Sequence, residues 1–180
     1  MSQAKPQSQD PVSAAAESAG AKVAKAAKSA AAAAVRDAGR TPREVLGITD
    51  EQFEEMGQLG VMFYTQGDLE RARIAFEGLV EADPNSSSAH SALGALYTRT
   101  GRYDEALEQV NRAIELNGDQ LEAYVNRAEI WFRKDQMQRA FEDIKRAMSL
   151  DPGEQDPAAN RARVMLLGLH QALKARGIMT

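Results

Sequence analysis

The sequence predicts an all-α fold made of three repeated helix pairs, and three observations carry that expectation. Residue types recur every 34 positions in segments opened by Phe53, Ser87 and Leu121. Small side chains hold the eighth and twentieth places of each segment (Gly60, Gly94, Ala128; Ala72, Ala106, Ala140), while bulky ones hold the eleventh and twenty-fourth (Phe63, Tyr97, Trp131; Phe76, Val110, Ile144). Turn residues close the two halves, with Gly67, Gly101 and Asp135 at the fifteenth place and Pro84, Gly118 and Pro152 at the thirty-second. Two antiparallel helices cross closely only where one offers Gly or Ala to the other's side chain, so the small residues mark contacts between helices. A single pair of this size leaves an apolar face bare, and about three stacked pairs are the minimum that buries it.

Composition narrows the class. At 180 residues and 43% hydrophobic content the chain suits one domain with a core. No stretch approaches the roughly 18 apolar residues of a membrane span, and the N-terminus lacks the apolar run of a secretory signal, so stable membrane insertion is not expected and the cytoplasm is the default location. With no cysteine there is no disulfide, lipid-bearing cysteine or thiolate metal site. The net charge of −4 is uneven: residues 1–40 carry six Lys or Arg against three acids, and residues 41–180 carry 16 against 23. An acidic folded part argues against a nucleic-acid partner.

Taken in order, residues 1–12 are polar and contain Pro6 and Pro11, which reads as disorder. Residues 13–35 hold thirteen alanines and the spaced lysines Lys22, Lys25 and Lys28. Alanine favours helix, but a helix without a packing face is marginal in water, so residues 1–40 are expected to be a disordered or frayed leader. Two readings of its lysines stand side by side, a solvated tail and a contact for anionic lipid or nucleic acid. Order is expected from Thr41 onward. Thr41-Pro42-Arg43-Glu44 combines a capping box with Pro at the first helical position, and Gly47 stops that short helix. A second capping box, Thr49-Asp50-Glu51-Gln52, starts repeat 1. Repeats 53–86, 87–120 and 121–154 are expected to supply helices over 50–65, 69–82, 86–99, 103–116, 120–133 and 137–150. Asp156-Pro157 then opens a last helix over 157–176, with the stripe Ala162, Met165, Leu166, Leu169 and Leu173, Arg161, Arg163 and Lys174 elsewhere, and Gly177 at its end. Its expected role is to cover the last repeat.

These offsets resemble the tetratricopeptide repeat (TPR), a helix-turn-helix unit of 34 residues. The resemblance implies a right-handed superhelix of three TPR repeats, with a short N-terminal helix and a C-terminal capping helix. In TPR arrays the first helix of each repeat lines a concave groove. By position that implies Glu54, Gly57, Val61, Tyr64 and Thr65 from repeat 1, and Ser88, Ser91, Ala95, Thr98 and Arg99 from repeat 2. Repeat 3 would supply Glu122, Val125, Glu129, Phe132 and Arg133. Apolar walls with charged margins suit an extended peptide. The TPR clamp for a C-terminal carboxylate is absent: its positions hold Gly57, Val61, Ala92, Glu122 and Asn126, and Glu122 would repel that ligand.

A second resemblance covers about residues 38–175. The short Thr-led helix, Leu46-Gly47-Ile48-Thr49-Asp50-Glu51, Phe63-Tyr64 and Gly67, Leu93-Gly94-Ala95 and Ala128-Glu129 resemble the class II chaperones of bacterial type III secretion translocators. That implies a bacterial cytoplasmic chaperone whose groove binds a short Pro- and Leu-containing segment of a hydrophobic translocator and keeps it soluble before export. Members of that family often dimerise through the region before the repeats. The leader here is longer and more basic, so a homodimer through the N-terminal region is left open. Repeats 2 and 3 also follow the general TPR pattern more closely, as in Gly101-Arg102-Tyr103-Asp104-Glu105-Ala106. The competing readings are a general TPR interaction scaffold working through its outer face or its tail, and a tail-driven adaptor for membrane or nucleic acid.

Individual residues carry two readings each. Tyr64 and Phe132 fit groove anchors or packing against the next helix, and Trp131 fits the core. Arg127 stands where Leu is common, and is expected to snorkel between helices or to pair with a nearby acid such as Glu122 or Glu129, ahead of a ligand role. His90 falls on a packing position, and His170 lies 80 residues away with no ligand partner, so no metal site is expected. Without a phosphate loop, nucleophile elbow or HExxH motif, the expectation is a binding protein with no catalytic role and no cofactor.

Overall fold

The computed structural model describes Ala26, residues 39–175 and Gly177. The leader expectation, apart from Ala26, Gly39 and Arg40, lies outside them. Among the described residues there are eight helices and no strand: α1 (Pro42–Leu46), α2 (Asp50–Gln66), α3 (Leu69–Ala82), α4 (Ser87–Arg99), α5 (Tyr103–Leu116), α6 (Leu121–Arg133), α7 (Met137–Ser149) and α8 (Pro157–Ala175). The ends of the six repeat helices lie within one residue of the sequence expectation. The chain divides into two compact units, Met1–Pro84 and Asn85–Thr180.

In the first unit both capping boxes form. The Thr41 amide donates to Glu44 Oε2 at 2.6 Å while the Glu44 amide donates to Thr41 Oγ1 at 3.3 Å. Thr49 and Gln52 exchange the same pair of bonds at 3.1 and 3.2 Å. Helix α2 then packs against α3, and α1 also touches α3. A Cβ built at Gly60 would stand 2.4 Å from Phe76 Cε1, so the small eighth residue is the slot that the bulky twenty-fourth residue fills. The same lock recurs in the second unit, where a Cβ at Gly94 would stand 2.5 Å from Val110 Cγ1.

The fifteenth-place turns share a left-handed backbone, with φ of 83° at Gly67, 78° at Gly101 and 58° at Asp135. Glycine reaches that region without steric penalty and Asp tolerates it, which explains the residue types at this offset. After the first of these turns Asp68 caps α3, accepting the Arg71 amide at 3.1 Å and the Arg71 guanidinium Nε at 2.6 Å. That guanidinium holds the Asp68 carboxyl below the ordinary carboxylate range. Asp68→Ala is therefore expected to cost about 1 kcal/mol at neutral pH. A depressed folded pKa gives stability that is present above the unfolded value of about 3.9 and lost as pH falls through the lower folded value. Urea titrations should show the gap between variant and parent present at neutral pH and narrowing as pH falls below the unfolded value.

In the second unit the helices pack in chain order. Helix α4 packs on α5, α5 on α6, and α6 on α7, while α8 lies against both α6 and α7. Leu121, Val125, Ala128, Ile144 and Ala147 of repeat 3 are buried with Ala158, Ala159, Ala162 and Leu169 of α8. Met165, Leu166 and Leu173 pack on the edge of that cluster, so the stripe of α8 covers the last repeat. The Asp156 carboxylate starts α8 by accepting the Ala158 and Ala159 amides at 2.7 and 3.3 Å. His90 is buried, with Nδ1 2.8 Å from Gln109 Oε1.

The eleventh-place aromatics have a common feature that the repeat pattern did not announce. Each carries a guanidinium over its ring: Arg71 at 4.8 Å from Phe63, Arg102 at 4.1 Å from Tyr97 and Arg139 at 4.8 Å from Trp131. Trp131 is accordingly half-buried beneath Arg139. Such contacts let a large ring sit at the margin of a helix pair with its exposed face covered by charge.

Candidate functional site

The first helices of the repeats were expected to carry the site, and within the second unit they form a layer together with the terminal helix. Helix α4 contacts α6, and α6 contacts α8. A polar seam ties the three. Asn126 of α6 is buried, and its Nδ2 donates to the carbonyl and the Oγ of Ser91 on α4 at 3.2 and 3.1 Å. Its Oδ1 accepts from Arg161 Nη2 on α8 at 3.1 Å. Both ends of the amide are used, which fixes its orientation and the spacing of the three helices.

Beside that seam α6 and α8 enclose an open cavity of about 700 Å³. Its walls are Phe132, Pro157, Val164, Met165 and Gly168, with Glu129, Arg133, Asn160 and Arg161 as polar members. Glu129 accepts from Arg133 at 3.2 Å one turn on. Three expected residues of repeat 3, Glu129, Phe132 and Arg133, are thus brought together. Phe132 packs on the core cluster and also lines the cavity.

The other expected residues are placed less uniformly. Ser91, Thr98 and Val125 are buried and back this face; the Thr98 hydroxyl donates to the Gly94 carbonyl at 2.8 Å. Ser88, Arg99 and Glu122 are exposed and Ala95 is half-buried. On α2 of the first unit Glu54 and Thr65 are exposed, Gly57 and Tyr64 are half-buried, and Val61 stands 51% exposed. The Thr65 hydroxyl donates to the Met62 carbonyl at 2.8 Å, a local bond within the helix.

The contribution of α8 was missed by sequence reasoning, which assigned it to covering alone. A signal was present: Val164 and Leu167 fall off its buried stripe, and they stand 68% and 66% exposed. Arg127 pairs with a nearby acid, one of its two expected readings, though not with either acid given as an example. Its partner is Asp143 of α7, neither Glu122 nor Glu129, with Nε to Oδ2 at 2.9 Å, Nη2 to Oδ1 at 2.7 Å, and Nη1 on Asn111 Oδ1 of α5 at 2.9 Å. The hydrogen-bonded Asp143 raises the Arg127 pKa despite burial, so this cation belongs to the fold. Among the described residues no cluster of three or more His, Asp or Glu side chains is arranged to hold a metal ion, and no helix is long and apolar enough to cross a membrane.

Two family models, both described as tetratricopeptide repeat, match residues 63–127 and 121–154, together just over half of the chain. The chain belongs to the tetratricopeptide-repeat family. Its curated TPR-sized matches are short: 33% identity over 58 residues to the peroxisomal targeting signal receptor of Saccharomyces cerevisiae and 36% over 61 residues to Superkiller protein 3 of Schizosaccharomyces pombe. Those stretches are 32% and 34% of this TPR chain, and 10% and 4% of the relatives' own lengths. Among solved structures, a T3SS complex from Aeromonas hydrophila superposes with a TM-score of 0.66 at 20% identity, covering 84% of this chain and 99% of that one. The Yersinia enterocolitica type III secretion chaperone SycD in complex with a peptide of the translocator YopD gives 0.60 at 21%, covering 72% and 98%. The first TPR of Spaghetti (RPAP3), bound to an HSP90 peptide, gives 0.60 at 22%, covering 71% and 97%. At such identities these likenesses describe the TPR fold.

Proposed function

We propose that this TPR protein is a binding chaperone of the bacterial cytoplasm that holds a type III secretion translocator by an extended segment and keeps it soluble before export. The observation that carries the reading is the face of α4, α6 and α8, where an apolar cavity with a charged rim lies open beside a rigid polar seam. A preformed site of this kind binds an extended chain with little reordering of the protein. Support from relatives is consistent with it: SycD is seen with a YopD peptide, and PcrH with the chaperone binding region of PopD. In this reading residues 41–180 form the binding domain and residues 1–40 a separate leader. Groove contacts come from Glu54, Gly57, Val61, Tyr64 and Thr65, from Ser88, Ala95 and Arg99, and from Glu122, Glu129, Phe132 and Arg133, with Ser91, Thr98 and Val125 as backing. Action is stoichiometric, without turnover or cofactor, and a homodimer through the N-terminal region belongs to the same proposal.

The rival is a general TPR interaction scaffold, which the likeness to the Spaghetti TPR favours. Co-expression of the full chain with candidate membrane-active secreted proteins separates the two. Val164→Glu, which puts a charge on the exposed wall of the cavity, should reduce the soluble, co-purified client by about thirtyfold, the scale of one interface anchor, with helicity and melting unchanged. Undiminished recovery would move the partner to another face and favour the scaffold.

A further inference from the structure

We infer that the cavity between α6 and α8 is a charge-reading subsite, taking a bulky apolar side chain of the bound peptide while Arg161 pairs with a carboxylate beside it. This rests on the peptide-binding reading above. The apolar half of the argument is the wall of Phe132, Pro157, Val164 and Met165 around about 700 Å³, a volume in the usual range for ligand sites.

The charged half comes from a difference among the cations of this region. Arg133 is matched by Glu129, and Arg163, two residues beyond Arg161, is matched by Asp151 at 3.3 Å. Arg161 is different. Its bond is to Asn126 Oδ1, a neutral acceptor, and it has no carboxylate partner among the described residues. Asn126 in turn is locked by Ser91, so the guanidinium is held at the cavity wall by a rigid anchor while its charge stays unmatched. A preorganised cation next to apolar surface strengthens attraction for an anion and costs little ordering when that anion arrives. Val164 and Leu167 continue the apolar surface along α8, three and six residues on from Arg161. The occupant that satisfies both halves is a peptide segment with Leu, Met or Phe within two residues of Asp or Glu.

Selection of phage-displayed random peptides on the full chain tests this without knowing the client. The expected result is enrichment of acidic residues next to bulky apolar ones. Arg161→Glu should reverse the preference to Lys or Arg and weaken a parent-selected acidic peptide by about tenfold. Arg161→Gln, which keeps a donor for Asn126 and so guards against a folding defect, should erase the charge preference but retain the apolar one. Peptides enriched without acidic bias, or an acidic bias unchanged in both variants, would overturn the subsite and leave the peptide-binding reading in place. If the parent enriches no peptide over an unrelated control protein, both fall.

Discussion

Asp143→Ala is expected to destabilise the second unit by about 3 kcal/mol, the low end for a broken buried pair, because it strands a cation that the fold has partly removed from water. The Asp143 side chain is 8% exposed and that of Arg127 is 23% exposed, and the two share a bidentate contact at 2.7 and 2.9 Å. Forming such a pair returns little more than its desolvation cost, so the expected loss measures the unpaired Arg127 rather than the worth of the bridge. A second variant makes that distinction. Replacing both partners, Arg127→Met with Asp143→Leu, should bring stability to within about 1 kcal/mol of the parent, since Asn111 is exposed and can turn to water. Urea unfolding followed by helicity reads both. Equal loss in the single and double variants would show that the pair itself contributes, and little loss in Asp143→Ala would show that water reaches Arg127.

Gly94→Val is the second large effect, expected at about 3 kcal/mol, near the upper end for overpacking. Its Cβ would meet Val110 Cγ1 at 2.5 Å, with the Val110 amide and the Ala106 carbonyl both at 3.4 Å. Val110 is fully buried and branched at Cβ, so it has no spare rotamer to retreat into. The cycle with Gly94→Ala and Val110→Ala separates sterics from helix propensity. Alanine gains about 1 kcal/mol over glycine in a helix interior, but here the clash opposes it. Shortening Val110 in the Gly94→Ala background should cost less than shortening it in the parent. Additive effects would refute the lock between the eighth and twenty-fourth places.

How far the sequence could be read differs sharply between the helices and the site. The repeat offsets place small against large residues, and the structure puts Phe76 at Gly60 and Val110 at Gly94. Capping boxes at Thr41 and Thr49 mark their helix starts because every partner lies within three residues along the chain. Groove membership was legible only by position. Glu129, Phe132 and Arg133 meet at one cavity, while Ser91, Thr98 and Val125, chosen by the same positional rule, are buried. Periodicity reports which side of a helix a residue occupies, and the neighbouring helix decides how deeply that side is covered.

The sequence alone therefore determined the all-α class, the helix ends and the small-to-large locks, since these depend on contacts within one repeating unit. Tertiary structure decided that Arg127 pairs with Asp143, that Asn126 joins Ser91 to Arg161, and that α8 walls a cavity as well as covering a core. These contacts join residues 16 to 35 positions apart, on helices whose relative rotation no local pattern specifies. Long polar side chains such as Arg127 and Arg161 reach several neighbours, and only the packed arrangement selects among them.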